Sequence, residues 1–196
     1  IEERNEIVAN VKSLVVYKLG STVLGGTDSI FISAIINVVT VGFYSNYKLL
    51  VDLFTYLGSQ VVSSITASVG NVNASEGKER KEAIFDGLLC ASAWFFGLSA
   101  VGLLLLSNDF IRLWVGTDYV LDITSVAAIV GAFYVNNMHH ACFVYRNTAG
   151  LFVYGKYIPV IASVLNIGLD VALGMWIGLP GIFLATIIAR MLTYEI

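Results

Sequence analysis

The sequence predicts an all-α integral membrane protein with about six transmembrane helices. Hydrophobic residues make up 57% of the chain and charged residues only 13%, whereas a soluble domain has about 25% charged residues. The mean hydropathy is +0.80, and long apolar segments alternate with short polar connectors. A net charge of −3 gives no electrostatic reason to expect a nucleic-acid partner. These observations exclude an ordinary water-soluble domain.

Each predicted span is an apolar segment close to the length of about 20 residues that a bilayer requires. The last segment is shorter than the others. The candidate spans are residues 11–37, 43–70, 83–106, 119–145, 157–177 and 181–196. We treat residues 1–196 as one helical bundle and expect it to be part of a longer chain.

The positive charges predict the orientation of these spans. With a cytoplasmic N-terminus, nine of the eleven Lys and Arg residues fall at or near the cytoplasmic side. Arg112 lies in an outer connector and Lys48 lies within a span. Lys and Arg are concentrated in cytoplasmic connectors of membrane proteins, so we expect a cytoplasmic N-terminus.

The second span carries a continuous polar stripe on a helical wheel. The stripe contains the charges Lys48 and Asp52, which are four residues apart and can pair. A charge at the bilayer centre costs about 2.5–3.5 kcal/mol even on insertion scales, so we expect the stripe to face protein or a water-filled cavity. Its members, which fall within an arc of roughly 80°, are Ser45, Lys48, Asp52, Tyr56, Ser59, Ser63 and Thr66, with Gln60 beside them.

Two further carboxylates lie within predicted spans. Asp28 is deep in the first span, and Asp170 shares one face of the fifth span with Ser163, Asn166 and Gly174. Ionisable residues inside a membrane commonly mark ion or substrate pathways. A purely structural role, in which these polar groups hold helices together, is the alternative.

Neither cofactor nor metal chemistry is predicted. Cys90 and Cys142 lie in apolar segments, so we expect them to be small buried residues without a disulfide or metal. The connectors carry no nucleophile with a histidine, no metal-ligand spacing and no phosphate-binding Gly-Lys motif. An enzyme is therefore the weakest of the functional classes considered.

Three stretches resemble one family of transporters. KLGSTVLGGTDSIFISAI, VGFYSNYKLLVDLFTYLGSQVVSSITASVGNVNA and FIRLWVGTDYVL look like the later half of bacterial polysaccharide flippases. LNIGLDVALGMWIGLPGIFLATIIARML resembles the fifth and sixth spans of that half. These flippases belong to the superfamily of multidrug, oligosaccharidyl-lipid and polysaccharide exporters.

The resemblance implies a fold, a location and an activity. The chain would be the second lobe of an inverted-V transporter in the bacterial inner membrane, completed by an N-terminal lobe. It would flip undecaprenyl-pyrophosphate-linked oligosaccharide for O-antigen, capsule or exopolysaccharide synthesis, among membrane lipids and coupled to H⁺ or Na⁺. The expected substrate-binding residues are Lys48, Asp52, Tyr56, Gln60 and Arg190, and the expected ion-coupling residues are Asp28 and Asp170.

Other functions fit the same pattern. A multidrug or cation antiporter of the same superfamily is the nearest alternative. A non-transporting assembly subunit would instead close the polar stripe inside a helix interface. A membrane enzyme acting on a lipid-linked sugar is the third alternative.

Overall fold

The computed structural model describes residues 2–75, 78–148 and 157–194, and nearly all of these residues are helical. For residues 2–10, 63–75, 78, 80–81, 139–141, 143–148 and 194 it describes the backbone alone. The α-helices are α1 (Glu2–Gly26), α2 (Asp28–Phe31), α3 (Val38–Ser75), α4 (Lys78–Trp114), α5 (Ile123–Thr148), α6 (Ile158–Ile177) and α7 (Leu179–Tyr194). A π-helical turn follows α2 at Ile32–Ile36, and a 3₁₀ turn lies at Thr117–Tyr119.

Three of the described segments are long and apolar enough to cross a membrane. They are Val11–Ile36, Glu82–Trp114 and Ile158–Ile177. Ile123–Met138 and Leu179–Thr193 are shorter apolar helices. The prediction of an all-α protein is confirmed for the described residues, and the count of six spans stays a prediction.

The first predicted span is interrupted. A bend at Thr27 separates α1 from α2, and the π-helical turn ends at Asn37, whose backbone is extended (φ −178°, ψ 165°). Gly25 and Gly26 immediately precede the bend, and glycine is the least favourable helix residue after proline. The predicted span 11–37 therefore corresponds to the apolar segment Val11–Ile36, but that segment is bent at Thr27 and is not one continuous α-helix.

Helix α3 begins five residues before the predicted start of the second span, at Val38 rather than residue 43. The Asn37 side chain caps it by accepting hydrogen bonds from the Thr40 backbone N–H (2.7 Å) and hydroxyl (3.0 Å). Asparagine is among the preferred residues at this position, because its side-chain oxygen replaces a missing helical acceptor. The polar connector expected between the first two spans is thus mostly helix.

The chain divides into two compact units, Ile1–Thr40 with Leu151–Ile196, and Val41–Gly150. In the first unit, α1 crosses α6 closely at Gly20, where a Cβ would lie 2.7 Å from the Val160 nitrogen. Helices α6 and α7 form a tight hairpin at Gly178, which adopts φ 77°. Leu179 and Pro180 already belong to α7, which begins two residues before residue 181, the predicted start of the sixth span.

The second unit contains most of α3 together with α4 and α5. Its core includes a closed set of hydrogen bonds: the Tyr47 hydroxyl donates to Asn108 Oδ1 (2.6 Å) and accepts from the Leu121 N–H (2.9 Å). The Asn108 amide donates to the Leu121 carbonyl (3.2 Å). This network joins both long helices to the segment that precedes α5.

Gly58 allows α3 to pack directly against an aromatic cluster on α4 and α5. Phe96 makes edge-to-face contacts with Phe95 and Phe133, with ring centroids 5.2 and 5.8 Å apart. A Cβ at Gly58 would overlap the Phe96 ring. Because Phe96 is 1% exposed, the ring has little room to move away.

Replacing Gly58 with alanine is therefore expected to destabilise the protein by about 1–3 kcal/mol, the usual cost of overpacking. Gly102→Ala is the matched control, since nothing lies within 4 Å of a Cβ at this helical glycine. Thermal unfolding in detergent measures both variants. Equal unfolding temperatures for the two would contradict the packing described for Gly58.

Asp122 caps the start of α5, and its charge is expected to make stability depend on pH. It accepts hydrogen bonds from the Ser125 N–H (3.0 Å), the Ser125 hydroxyl (2.6 Å) and the Thr124 hydroxyl. Burial acts to raise the pKa of Asp122, but these hydrogen bonds outweigh it and lower the pKa below its ordinary value. Its stabilisation is therefore present above the ordinary pKa of about 3.9 and is lost as pH falls through the lowered pKa.

Asp122→Ala is expected to cost about 0.5–2 kcal/mol at neutral pH, because the cap is removed. Asp122→Asn keeps an effective cap without the charge, so this variant should lose less stability between neutral pH and about pH 3 than the wild type. Unfolding temperatures across this pH range test both expectations. An unchanged acid dependence in Asp122→Asn would show that other groups cause it.

Candidate functional site

A buried carboxyl–amide–hydroxyl cluster lies between α6 and α7. Asn166 and Asp170 are each 0% exposed, and Thr186 is 6% exposed. The Asn166 side-chain amide donates to Asp170 Oδ1 (3.1 Å) and to Thr186 Oγ1 (3.2 Å). The Thr186 hydroxyl donates to the Ile182 carbonyl (3.4 Å). One amide group therefore connects the two helices.

The helix period and the hairpin explain how these groups meet. Asn166 and Asp170 are four residues apart, so they lie on one face of α6. The structure confirms the predicted face, because Ser163, Asn166, Asp170 and Gly174 are all buried. Gly181 brings the backbones close together, since a Cβ there would overlap the Leu173 carbonyl.

Two oxygen acceptors in the cluster have no hydrogen-bond donor among the residues that the structure describes. They are Asp170 Oδ2 and Asn166 Oδ1, and both are inaccessible to solvent. Buried polar atoms are normally satisfied, and an ionised carboxylate away from water is costly unless a positive charge or hydrogen bonds compensate it. The arrangement is thus suited to a proton or a small cation.

Asp28, the other residue predicted for ion coupling, belongs to the same unit as Asp170. It is the first residue of α2, directly after the bend at Thr27, and α2 packs against α6. The structure therefore brings the two helices that carry these carboxylates into contact.

The cluster between α6 and α7 offers carboxylate, amide and hydroxyl oxygens, from Asp170, Asn166 and Thr186. No group of three or more His, Cys, Asp or Glu able to hold a metal occurs in the described part of the chain. Carboxylate, amide and hydroxyl oxygens are the ligands that hard cations prefer.

Arg190 lies on the same helix as Thr186, one turn further along. It is 8% exposed and belongs to the buried side of α7. Its expected contact with substrate stays a prediction.

The predicted polar stripe of α3 lies in the second unit. Lys48 Nζ and Asp52 Oδ2 are 2.7 Å apart, and their side chains are 43% and 55% exposed. Tyr56 is 61% exposed, and Gln60 is also exposed. The ion pair is confirmed. Ser63 and Thr66, the far end of the stripe, have side chains outside the described residues.

Helix α3 packs into the second unit through a face separate from the polar stripe. This face carries the buried residues Tyr44, Tyr47, Gly58 and Val62. Leu53 and Leu57 remain 52% and 44% exposed. The hydrogen bonds of Tyr47 to Asn108 and Leu121, and a glycine that admits Phe96, fix the packed face.

Sequence reasoning missed several features of these sites. In the sequence, Thr186 looks like any other hydroxyl residue in an apolar helix. The one signal for its inward position is its spacing of four residues from both Ile182 and Arg190. Cys90 and Cys142 are exposed rather than buried, because each lies on an outer helical face that local hydropathy does not reveal.

Comparison with protein-family models, curated proteins and solved structures gave no match to this chain.

Thr186→Val is expected to destabilise the protein by about 1–3 kcal/mol, because the Asn166 amide loses a buried acceptor. Thr193→Val is a matched control on the same helix. Thr193 is also buried, but its hydroxyl bonds only to carbonyls of its own helix, at Ala189 (2.7 Å) and Arg190 (3.4 Å). Thermal unfolding that ranks the two variants in the opposite order would contradict the bridging role of Thr186.

Proposed function

We propose that this chain is one lobe of a cation-coupled membrane transporter that flips a lipid-linked oligosaccharide across the bacterial inner membrane for surface polysaccharide synthesis. The observation that carries the coupling is the pair of buried acceptors on Asp170 and Asn166, for which the described part of the chain provides no donor. A transporter needs a site whose charge changes as ions bind and leave, and this cluster has the required chemistry.

The substrate side of the proposal rests on α3. Lys48 and Asp52 form an exposed ion pair on a helix that is otherwise rich in leucine and valine. A pyrophosphate group would be attracted to the Lys48 ammonium, and Tyr56 and Gln60 offer the hydroxyl and amide groups that commonly bind sugars. The resemblance to polysaccharide flippases suggests this class of substrate, and the exposed stripe supports it.

Coupling through Asp170 predicts that thermal stability depends on Na⁺ or on pH, and that Asp170→Asn removes the dependence. A ligand at about 100 times its Kd stabilises a protein by about 2.7 kcal/mol. The measurement compares unfolding in NaCl and in choline chloride at equal ionic strength, and repeats it across pH. Asp52→Asn, a charge removed from the exposed stripe, is the control and should retain the dependence.

Two further variants test transport in the full-length protein reconstituted in vesicles. Lys48→Ala is expected to abolish flipping of a lipid-linked oligosaccharide, and Lys12→Ala, at an exposed position on α1, should leave it intact. Flipping by Lys48→Ala at the wild-type rate would refute the substrate role. Efflux of cationic drugs without oligosaccharide flipping would favour the antiporter instead.

A further inference from the structure

Helices α3 and α4 are much longer than a bilayer is thick. They contain 38 and 37 residues, which corresponds to roughly 55 Å each at 1.5 Å per residue. The hydrocarbon core is only about 30 Å thick. If these helices run along the membrane normal, some of each must lie outside the hydrocarbon.

The exposed surface of α4 changes character at Trp94. From this residue to the C-terminal end, the exposed side chains are mainly large and apolar, including Trp94 (77%), Leu98 (73%) and Leu113 (88%). Before Trp94, the exposed side chains that the structure describes on α4 include no large apolar residue. They are Glu79, Glu82, Ala83, Asp86, Gly87, Cys90 and Ala91.

The apolar surface begins and ends with tryptophan. Trp94 and Trp114 are both exposed, and 20 residues of helix between them span about 30 Å. Tryptophan is enriched at the two interfaces of a membrane. The distance between the tryptophans therefore matches the thickness of the hydrocarbon core.

One ion pair lies inside this interval, close to its end. Arg112 Nη1 is 3.5 Å from Asp109 Oδ1, within the last two turns before Trp114. A long arginine side chain so near an interface can extend its charge to the headgroups. The pair is thus compatible with an interface at Trp114.

We infer that the lipid bilayer contacts α4 from Trp94 to Trp114. We also infer that the part of α4 before Trp94 projects from the membrane into water, together with the part of α3 that packs at the same level. The expected third span, 83–106, would then be displaced toward the C-terminus. It would have placed the exposed carboxylate of Asp86 in hydrocarbon, whereas the new boundaries place it in water.

The antiparallel packing of α3 and α4 extends the inference to α3. Tyr47 contacts Asn108, and Gly58 packs on Phe96, so Trp114 and Trp94 lie level with residues near 41 and 60 of α3. The projecting arm then consists of about residues 61–75 and 78–93, roughly 22 Å long. The middle of the bilayer falls between Lys48 and Asp52.

The inferred membrane boundaries do not depend on which substrate is transported. A result that shows them to be wrong would therefore leave the proposed function unaffected. Single cysteines are introduced at Asp86 and at Leu98 in the Cys90→Ser, Cys142→Ser background of the full-length protein. Both positions are exposed on α4 and lie on opposite sides of Trp94. A charged maleimide is applied to reconstituted bilayers with both faces accessible, and labelling in SDS defines complete reaction.

Asp86→Cys is expected to be labelled in the bilayer, and Leu98→Cys is expected to be protected until SDS is added. Ala83→Cys, also exposed and before Trp94, serves if Asp86→Cys does not fold. Protection of the position before Trp94, or labelling of Leu98→Cys at the same rate as that position, would overturn the inference.

Discussion

A carboxyl group enclosed by helices sets the main constraint on the first unit. Asp170 is fully buried, and one of its oxygens accepts from Asn166 while the other has no donor among the described residues. Burying such a group is costly unless it is paired or hydrogen-bonded. The i, i+4 spacing of α6 places Asn166 beside Asp170, and the close approach of α6 and α7 at Gly181 accompanies the second bond of the Asn166 amide, to Thr186.

In the second unit the charged residues are exposed rather than buried. The Lys48–Asp52 pair has no net charge and lies at the surface, and the packed face of α3 consists of tyrosine, glycine and valine. A buried arrangement of the same charges would pay a desolvation penalty comparable to their attraction. The exposure of the Lys48–Asp52 pair is thus consistent with a surface that binds a polar ligand. The burial of Asp170 is consistent with a site that binds a small ion.

The sequence predicted features that depend on one helix at a time. Hydropathy identified the apolar segments, and helical spacing identified both the Lys48–Asp52 pair and the inward face with Asn166 and Asp170. Features that depend on two elements were missed, such as the Thr186 contact and the packed face of α3. The bend at Thr27 was missed because Gly25 and Gly26 are tolerated inside many helices, and hydropathy averages over them.

The measurement that most directly tests the account is the infrared difference spectrum of the carboxyl groups, recorded with and without Na⁺ and at two pH values. The account predicts a carboxyl band that changes with one of these conditions in the wild type and is absent from Asp170→Asn. An Asp170 band that stays the same under every condition would contradict the central claim that this buried group exchanges a proton or a cation.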